Sequence, residues 1–167
     1  MSSNVSIACR QHDHHRCIDD ALTTAQDICK SKGSRLTQLR QQVLEIVWQS
    51  HKPLGAYSVM DILAQQSTRR VAPPTVYRAL DFLLEHGLIH RINLLNAFVG
   101  CTHPQQQHAN NFLICQDCGV AIEFSTSALD NAISSAVAQF DFSLIGQSVE
   151  LLGQCQQCQE KDAGKTS

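Results

Sequence analysis

The stretch PPTVYRALDFLLEHGLIHR, residues 73–91, decides the fold. Two prolines open it, where a first helical turn has no partner for its N–H groups. Val76, Leu80, Leu83 and Leu84 then recur at helical spacing, and Gly87 ends the run. The opposite face carries Thr75, Arg78 and Asp81, with Tyr77 on its flank. One side of this helix packs and the other offers donors and acceptors to solvent or a ligand. Directly after it, LIHRINLLNAFVGC (88–101) reads as two strands around a turn at 93–96, a hairpin.

Working backwards, RLTQLRQQVLEIVWQS (35–50) places Leu39, Val43, Ile46 and Val47 on one helical face. HKPLG (51–55) breaks that helix, and a further helix is expected over 56–66 with Met60, Leu63 and Ala64 inward. QSTRRVA (66–72) is a polar link to the proline-started helix. A short amphipathic helix is expected over 22–28, closing near Gly33. Three or four helices followed by a hairpin describe a winged helix-turn-helix, here spanning 21–101 with its wing and hinge. Residues 1–20 read as a polar, aperiodic tail holding Cys9, His12, His14, His15 and Cys17. That cluster suits a metal-scavenging tail, with a further zinc site as the alternative.

Beyond the hairpin, 103–111 is polar, while NFLICQDCG and AIEFS read as strands. Residues 127–140 have helical spacing through Leu129, Ile133, Ala136 and Val137, and 143–158 read as a strand running to its end. The fold class is therefore α+β. A winged-helix domain is followed by a small α/β domain over 102–160, with 161–167 as a tail.

Composition narrows the function. The chain has 167 residues, 43% hydrophobic and 17% charged, enough for one ordinary domain or two small ones. No run of 18 apolar residues exists and no basic-then-apolar leader opens the chain, so a cytoplasmic protein is expected. The net charge of -2 hides an asymmetry: residues 30–91 sum to +5 and the remainder to -7. A basic block beside an acidic one suggests that only the first meets a polyanion.

Eight cysteines in a reducing compartment call for something other than disulfides. Four stand as two CxxC pairs, Cys115/Cys118 and Cys155/Cys158. Two such turns complete a tetrahedral thiolate set with Zn–S bonds of about 2.3 Å. Redox chemistry would need a CxxC at a helix N-terminus in a thioredoxin-like setting, and neither pair is expected there. The 36 residues between Cys118 and Cys155 exceed a simple ribbon, so folding must bring the pairs together, both at strand ends.

At these residues the sequence resembles the ferric uptake regulator family of metal-dependent repressors. RLTQLRQQVL, PPTVYRALDFLLEHGLIHR and FLICQDCG with a late CxxC carry the resemblance, over about 22–158. It is most similar to the zinc-sensing branch. That resemblance implies a regulatory zinc on His90, Cys101, His108 and Glu123 beside a structural zinc on the four CxxC cysteines, two ions per protomer. A donor set of one thiolate, two imidazoles and a carboxylate suits zinc and disfavours ferrous iron. His103 competes with His108 for its place. Two features depart from the family: its usual LTPQR is here LTQLR, ending at Arg40, and the His-rich run before the first CxxC is reduced to His103 and His108.

The resemblance also implies that the helix carrying TVYR enters the major groove. Arg78 would donate to guanine, Tyr77 and Thr75 would touch phosphate or a thymine methyl, and Tyr57 would be a further contact. Arg69 and Arg70 would neutralise phosphates. A single such helix reads few base pairs, so a homodimer on a palindromic operator is expected, joined through the C-terminal strands. Zinc and DNA would favour the same geometry and so reinforce each other. Rival readings are a sensor of iron, nickel or peroxide in the same family, a zinc-buffering protein, and a zinc enzyme. The deaminase signature of HxE with PCxxC is absent, which argues against the enzyme.

Overall fold

The computed structural model describes residues 14–49, 52–66, 71–105 and 110–163. Its contacts divide the chain into two units at residue 106. Among the described residues, no helix is long and apolar enough to cross a membrane.

In chain order the N-terminal unit holds α1 (His14–Ser31), α2 (Gln38–Trp48), β1 (Leu54–Gly55), α3 (Ala56–Gln66), α4 (Pro73–Glu85), β2 (Ile89–Ile92) and β3 (Ala97–Gly100). Helix α2 is the hub, packing against α1, α3, α4 and β3. Its buried Val43, Leu44, Ile46 and Val47 meet Ala25 and Ile28 of α1, Val59 and Leu63 of α3, and Val76, Leu80 and Leu83 of α4 in one core. The hairpin closes that core with Ile89 and Phe98. Its strands pair antiparallel in the order β1-β3-β2, and Arg91 faces Phe98 in register. The wing turn is shaped by Asn96, whose φ of 46° is left-handed and whose N–H donates to the Asn93 carbonyl at 3.2 Å.

Two joints fix α4 against this frame. At its end Gly87 takes φ of 68°, and the N–H groups of Gly87 and Leu88 donate to the carbonyls of Leu84 and Leu83, both at 2.9 Å. This is a Schellman ending, and it passes the chain straight from α4 into β2. At the far corner of the hairpin, Gly100 lies against the Trp48 indole so closely that a Cβ would fall within the ring.

Three details differ from the sequence expectation. Helix α1 begins at His14, not near residue 22, because Ile18, Ala21, Leu22, Ala25 and Ile28 continue one inward face through the segment read as tail. In α3 the buried positions are Ala56, Val59 and Leu63, Met60 packs partly buried against the same core as expected, and Ala64 is exposed. The two-residue strand β1 is too short to leave a period in the sequence.

The C-terminal unit contains β4 (Asn110–Cys115), β5 (Ala121–Glu123), α5 (Ser127–Ala138), β6 (Ser148–Gly153) and α6 (Gln156–Ala163). Its sheet runs β5-β4-β6, with β5 antiparallel and β6 parallel to the central strand. Phe112, Ile114 and Ala121 are buried, whereas α5 buries no residue fully. The second CxxC does not end a strand as expected: Cys155 precedes α6 and Cys158 lies in its first turn.

Candidate metal centres and nucleic-acid interface

The C-terminal unit brings Cys115, Cys118, Cys155 and Cys158 together with their sulfurs all within 4.8 Å of one another. Parallel pairing sets this up, because Cys115 and Gly153 are register partners and the chain after Gly153 turns into α6 beside them. The first CxxC turn is closed by the Gly119 N–H donating to the Cys115 carbonyl at 3.0 Å, and Gly119 takes φ of 74°. The second is closed by the Cys158 N–H donating to the Cys155 carbonyl at 3.0 Å. Between the pairs, Cys118 Sγ lies 3.7 Å from Cys155 Sγ, and the Cys155 N–H points at Cys115 Sγ at 3.3 Å.

The four thiols are electrostatically unequal. Backbone N–H groups of Cys118 and Cys155 aimed at its sulfur lower Cys115 to about 6, making it a thiolate at neutral pH. The neighbouring Cys155 sulfur and burial push Cys158 up to about 12. The Val120 N–H favours the Cys118 thiolate, yet burial and the adjacent Cys115 and Cys155 sulfurs outweigh it and raise that thiol too. Four converging thiols that hinder each other's ionisation fit a soft dication, which removes the repulsion and completes a closed tetrahedral set. The helix start at Cys155 meets one half of the redox criterion. The convergence of both pairs at one point satisfies the metal criterion instead.

The N-terminal unit pairs two further donors. His90 of β2 and Cys101 just past β3 lie diagonally on one face of the hairpin, where Cys101 N–H donates to the Leu88 carbonyl at 3.1 Å. Both are buried, and their donor atoms lie within 4.8 Å of each other. Glu123 is the last residue of β5 in the C-terminal unit, half-buried and in register with Phe112. His108 lies outside the described residues. The competing His103 is exposed, with its Nδ1 at 2.9 Å from the Thr102 hydroxyl. The tail cysteine Cys17 is half-buried within α1, and Cys9 and His12 lie outside the described residues.

The polar face of α4 is as its periodicity predicts. Thr75, Tyr77, Arg78 and Asp81 are exposed while Val76, Ala79 and Leu80 are buried. Tyr57, at the start of α3, is 76% exposed, which is unusual for a tyrosine without a partner surface. Arg69 and Arg70 lie outside the described residues. What the sequence did not signal is α6, because QQCQEKDA carries no apolar period.

A winged helix followed by a small, thiol-bearing α/β unit defines a two-part class of chain. The sequence model of the ferric uptake regulator family matches residues 31–152. Over 145 residues the chain is 33% identical to the zinc uptake regulation protein of Escherichia coli (strain K12), covering 86% of this chain and 84% of that one. It is 27% identical over 146 residues to the ferric uptake regulation protein of Campylobacter upsaliensis, covering 86% and 92%. A solved zinc uptake regulator complexed with zinc and DNA is similar at a TM-score of 0.82 and 33% identity, covering 87% of this chain and 97% of that one. The chain belongs to the ferric uptake regulator family.

Proposed function

We propose that this protein is a zinc-responsive transcriptional repressor. It binds palindromic operator DNA as a zinc-loaded homodimer in the cytoplasm and represses zinc-uptake genes. The observation that carries the reading is the buried pairing of His90 with Cys101 at the base of the wing that follows the reading helix. An imidazole and a thiolate select zinc over ferrous iron, and the relatives named for zinc regulation are the more similar ones.

In this reading the four cysteines of the C-terminal unit hold a structural zinc. His90, Cys101, His108 and Glu123 hold a regulatory one, giving two ions per protomer. When bound, the regulatory ion would supply a soft Lewis-acid centre for these four donors. His90 and Cys101 sit three and fourteen residues past Gly87 in the chain, so a constraint on them is a constraint on the end of α4. Arg78 reads guanine, a contact worth about 1–3 kcal/mol of discrimination. Tyr57, Thr75 and Tyr77 complete the contact face, with Arg69 and Arg70 on phosphates. The exposed Leu113, Leu151, Leu152, Phe140, Phe142 and Ile145 of the C-terminal unit support association with a second copy.

The test is fluorescence anisotropy on an AT-rich palindromic duplex and a scrambled control, across buffered free zinc at fixed salt. Affinity for the palindrome alone, rising with zinc, is expected. A stronger response to iron or nickel would replace zinc as the signal, and equal weak binding to both duplexes would refute the repressor reading.

A further inference from the structure

Arg40 belongs to the basic block that the sequence turns toward a polyanion, but its guanidinium is folded inward. Its Cζ lies 3.5 Å from the centroid of the buried Phe82 ring of α4. Phe82 stacks in turn on His86, the residue that ends α4, with centroids 3.9 Å apart and planes 28° from parallel. The outer ends of this stack return to adjacent residues of the α1–α2 linker. Arg40 Nη1 donates to the Arg35 carbonyl at 2.6 Å, and His86 Nε2 lies 2.9 Å from the Ser34 hydroxyl. The other imidazole nitrogen, Nδ1, donates to the Phe82 carbonyl at 2.8 Å, and the Ser34 hydroxyl lies between Nε2 and a second acceptor, the Cys29 carbonyl at 3.2 Å. Ser34 is itself held by its N–H donating to the Cys29 carbonyl at 2.8 Å. Arg35, Arg40, Phe82, His86 and Ser34 thus form a closed ring of contacts.

We propose that this ring, with Arg40 at its centre, is a positioning device that sets the tilt of the reading helix and so its sequence discrimination. The inference rests on the DNA-reading face proposed above. The ring grips α4 at its C-terminal end, while Thr75 and Arg78 lie at the other end. Eleven residues separate Thr75 from His86, about 16 Å along a helix, so a tilt of about 4° about the grip displaces Thr75 by about 1 Å. Base-edge hydrogen bonds tolerate only about half that range, whereas phosphate contacts by long side chains absorb it. Loosening the ring therefore degrades discrimination and spares the sequence-independent part of binding. A guanidinium suits the position because one planar group can stack on a ring and still donate from its edge.

The experiment measures affinity of the full zinc-loaded chain for two duplexes over a range of salt. One is a palindromic duplex selected from a random library with the wild-type protein, and the other is its scrambled control. Arg40→Met is expected to lower the ratio of the two affinities about tenfold, with the slope of log affinity against log salt on the scrambled duplex unchanged. Ser34→Ala, which removes one hydroxyl from the other side of the ring, is expected to lower the ratio about threefold and covers the case in which Arg40→Met fails to fold. Arg40→Lys is expected to restore part of the ratio. A slope reduced by about 0.9 with the ratio intact would make Arg40 a phosphate contact and overturn the proposal. Unchanged ratio and slope in both variants would reduce the ring to packing. A wild-type protein that selects no duplex would instead overturn the DNA-reading proposal beneath it.

Discussion

In the N-terminal unit, α2 lies among three helices and a strand with Val43, Leu44, Ile46 and Val47 out of water. In the C-terminal unit, α5 buries nothing fully, and the dry positions of the sheet are few: Phe112, Ile114 and Ala121, with the polar Asn111 and the sulfur-bearing Cys115 beside them. The first unit has the apolar contacts to hold itself together. The second has four thiols in one place and a row of exposed Leu and Phe side chains, which suits the proposal that a metal and a second copy supply what the first obtains from its core. The same comparison separates the two candidate zinc sites. In the proposed reading the four-cysteine set is the second unit's staple. His90 and Cys101 sit on a hairpin that already has a core behind it, so a metal there is free to report rather than to fold.

The comparison breaks most visibly at the staple. Cys155→Ser leaves three thiols and is expected to remove most of the roughly 10–16 kcal/mol that a structural zinc site contributes. Metal analysis should show one zinc fewer per protomer, and hydrogen exchange should show lost protection over β4, β5 and β6 with α2 still protected. In the other unit, Leu80→Ala opens a cavity in a core with 0% exposure at that residue and is expected to destabilise it by about 2–5 kcal/mol. Denaturant unfolding followed at Trp48 reads that loss, and zinc content should not change.

Cys101→Ala sharpens the division between staple and sensor. It is expected to leave both units folded and to abolish the zinc-dependent gain in operator affinity, about 5–150-fold or about 1–3 kcal/mol of coupling. Anisotropy across buffered zinc checks this, and a variant that still responds like the wild type would remove Cys101 from the regulatory set. The smallest effect is protonic. In the metal-free cluster Cys115 is a thiolate above about pH 6 while Cys158 keeps its proton up to about 12 and Cys118 is also raised. Zinc must displace at least the protons of Cys158 and Cys118, so its affinity for the cluster should rise with pH by about tenfold per unit for each proton released. Calorimetry in two buffers of different ionisation heat counts those protons, and an affinity flat between pH 6 and 8 would contradict the assignment.

How much of this was legible in the sequence follows the same divide. Helix α4 could be read residue by residue because Pro73, Pro74 and Gly87 punctuate a clean apolar stripe, and the CxxC pairs announced their chemistry through spacing alone. The start of α1 was hidden because His14 to Asp20 offers a single large apolar residue, Ile18, whose inward direction is set by the helix that continues it. The inward face of α3 is centred on Ala56, Val59 and Leu63 with Met60 beside them, which leaves Ala64 outside. Helix α6 has no hydrophobic period, being held by Cys158 and by Gln159 Nε2 donating to the Gln154 carbonyl at 2.7 Å. The grip of Arg40 on Phe82 joins residues 42 positions apart, and such a contact leaves no local pattern. The pairing of His90 with Cys101 was different: the family resemblance named both residues, and the hairpin register that sets them diagonally came with the structure.

In the proposed reading the four-cysteine zinc holds a fold together, whereas the zinc on His90 and Cys101 regulates. Hydrogen exchange by mass spectrometry on the full chain, with operator affinity measured in parallel as free zinc is lowered stepwise, tests it directly. The account predicts that operator affinity falls first while both units stay protected, and that protection over residues 110–163 is lost only at much lower zinc, with 14–105 still closed. Loss of affinity and of protection in both units at one and the same zinc level would contradict it.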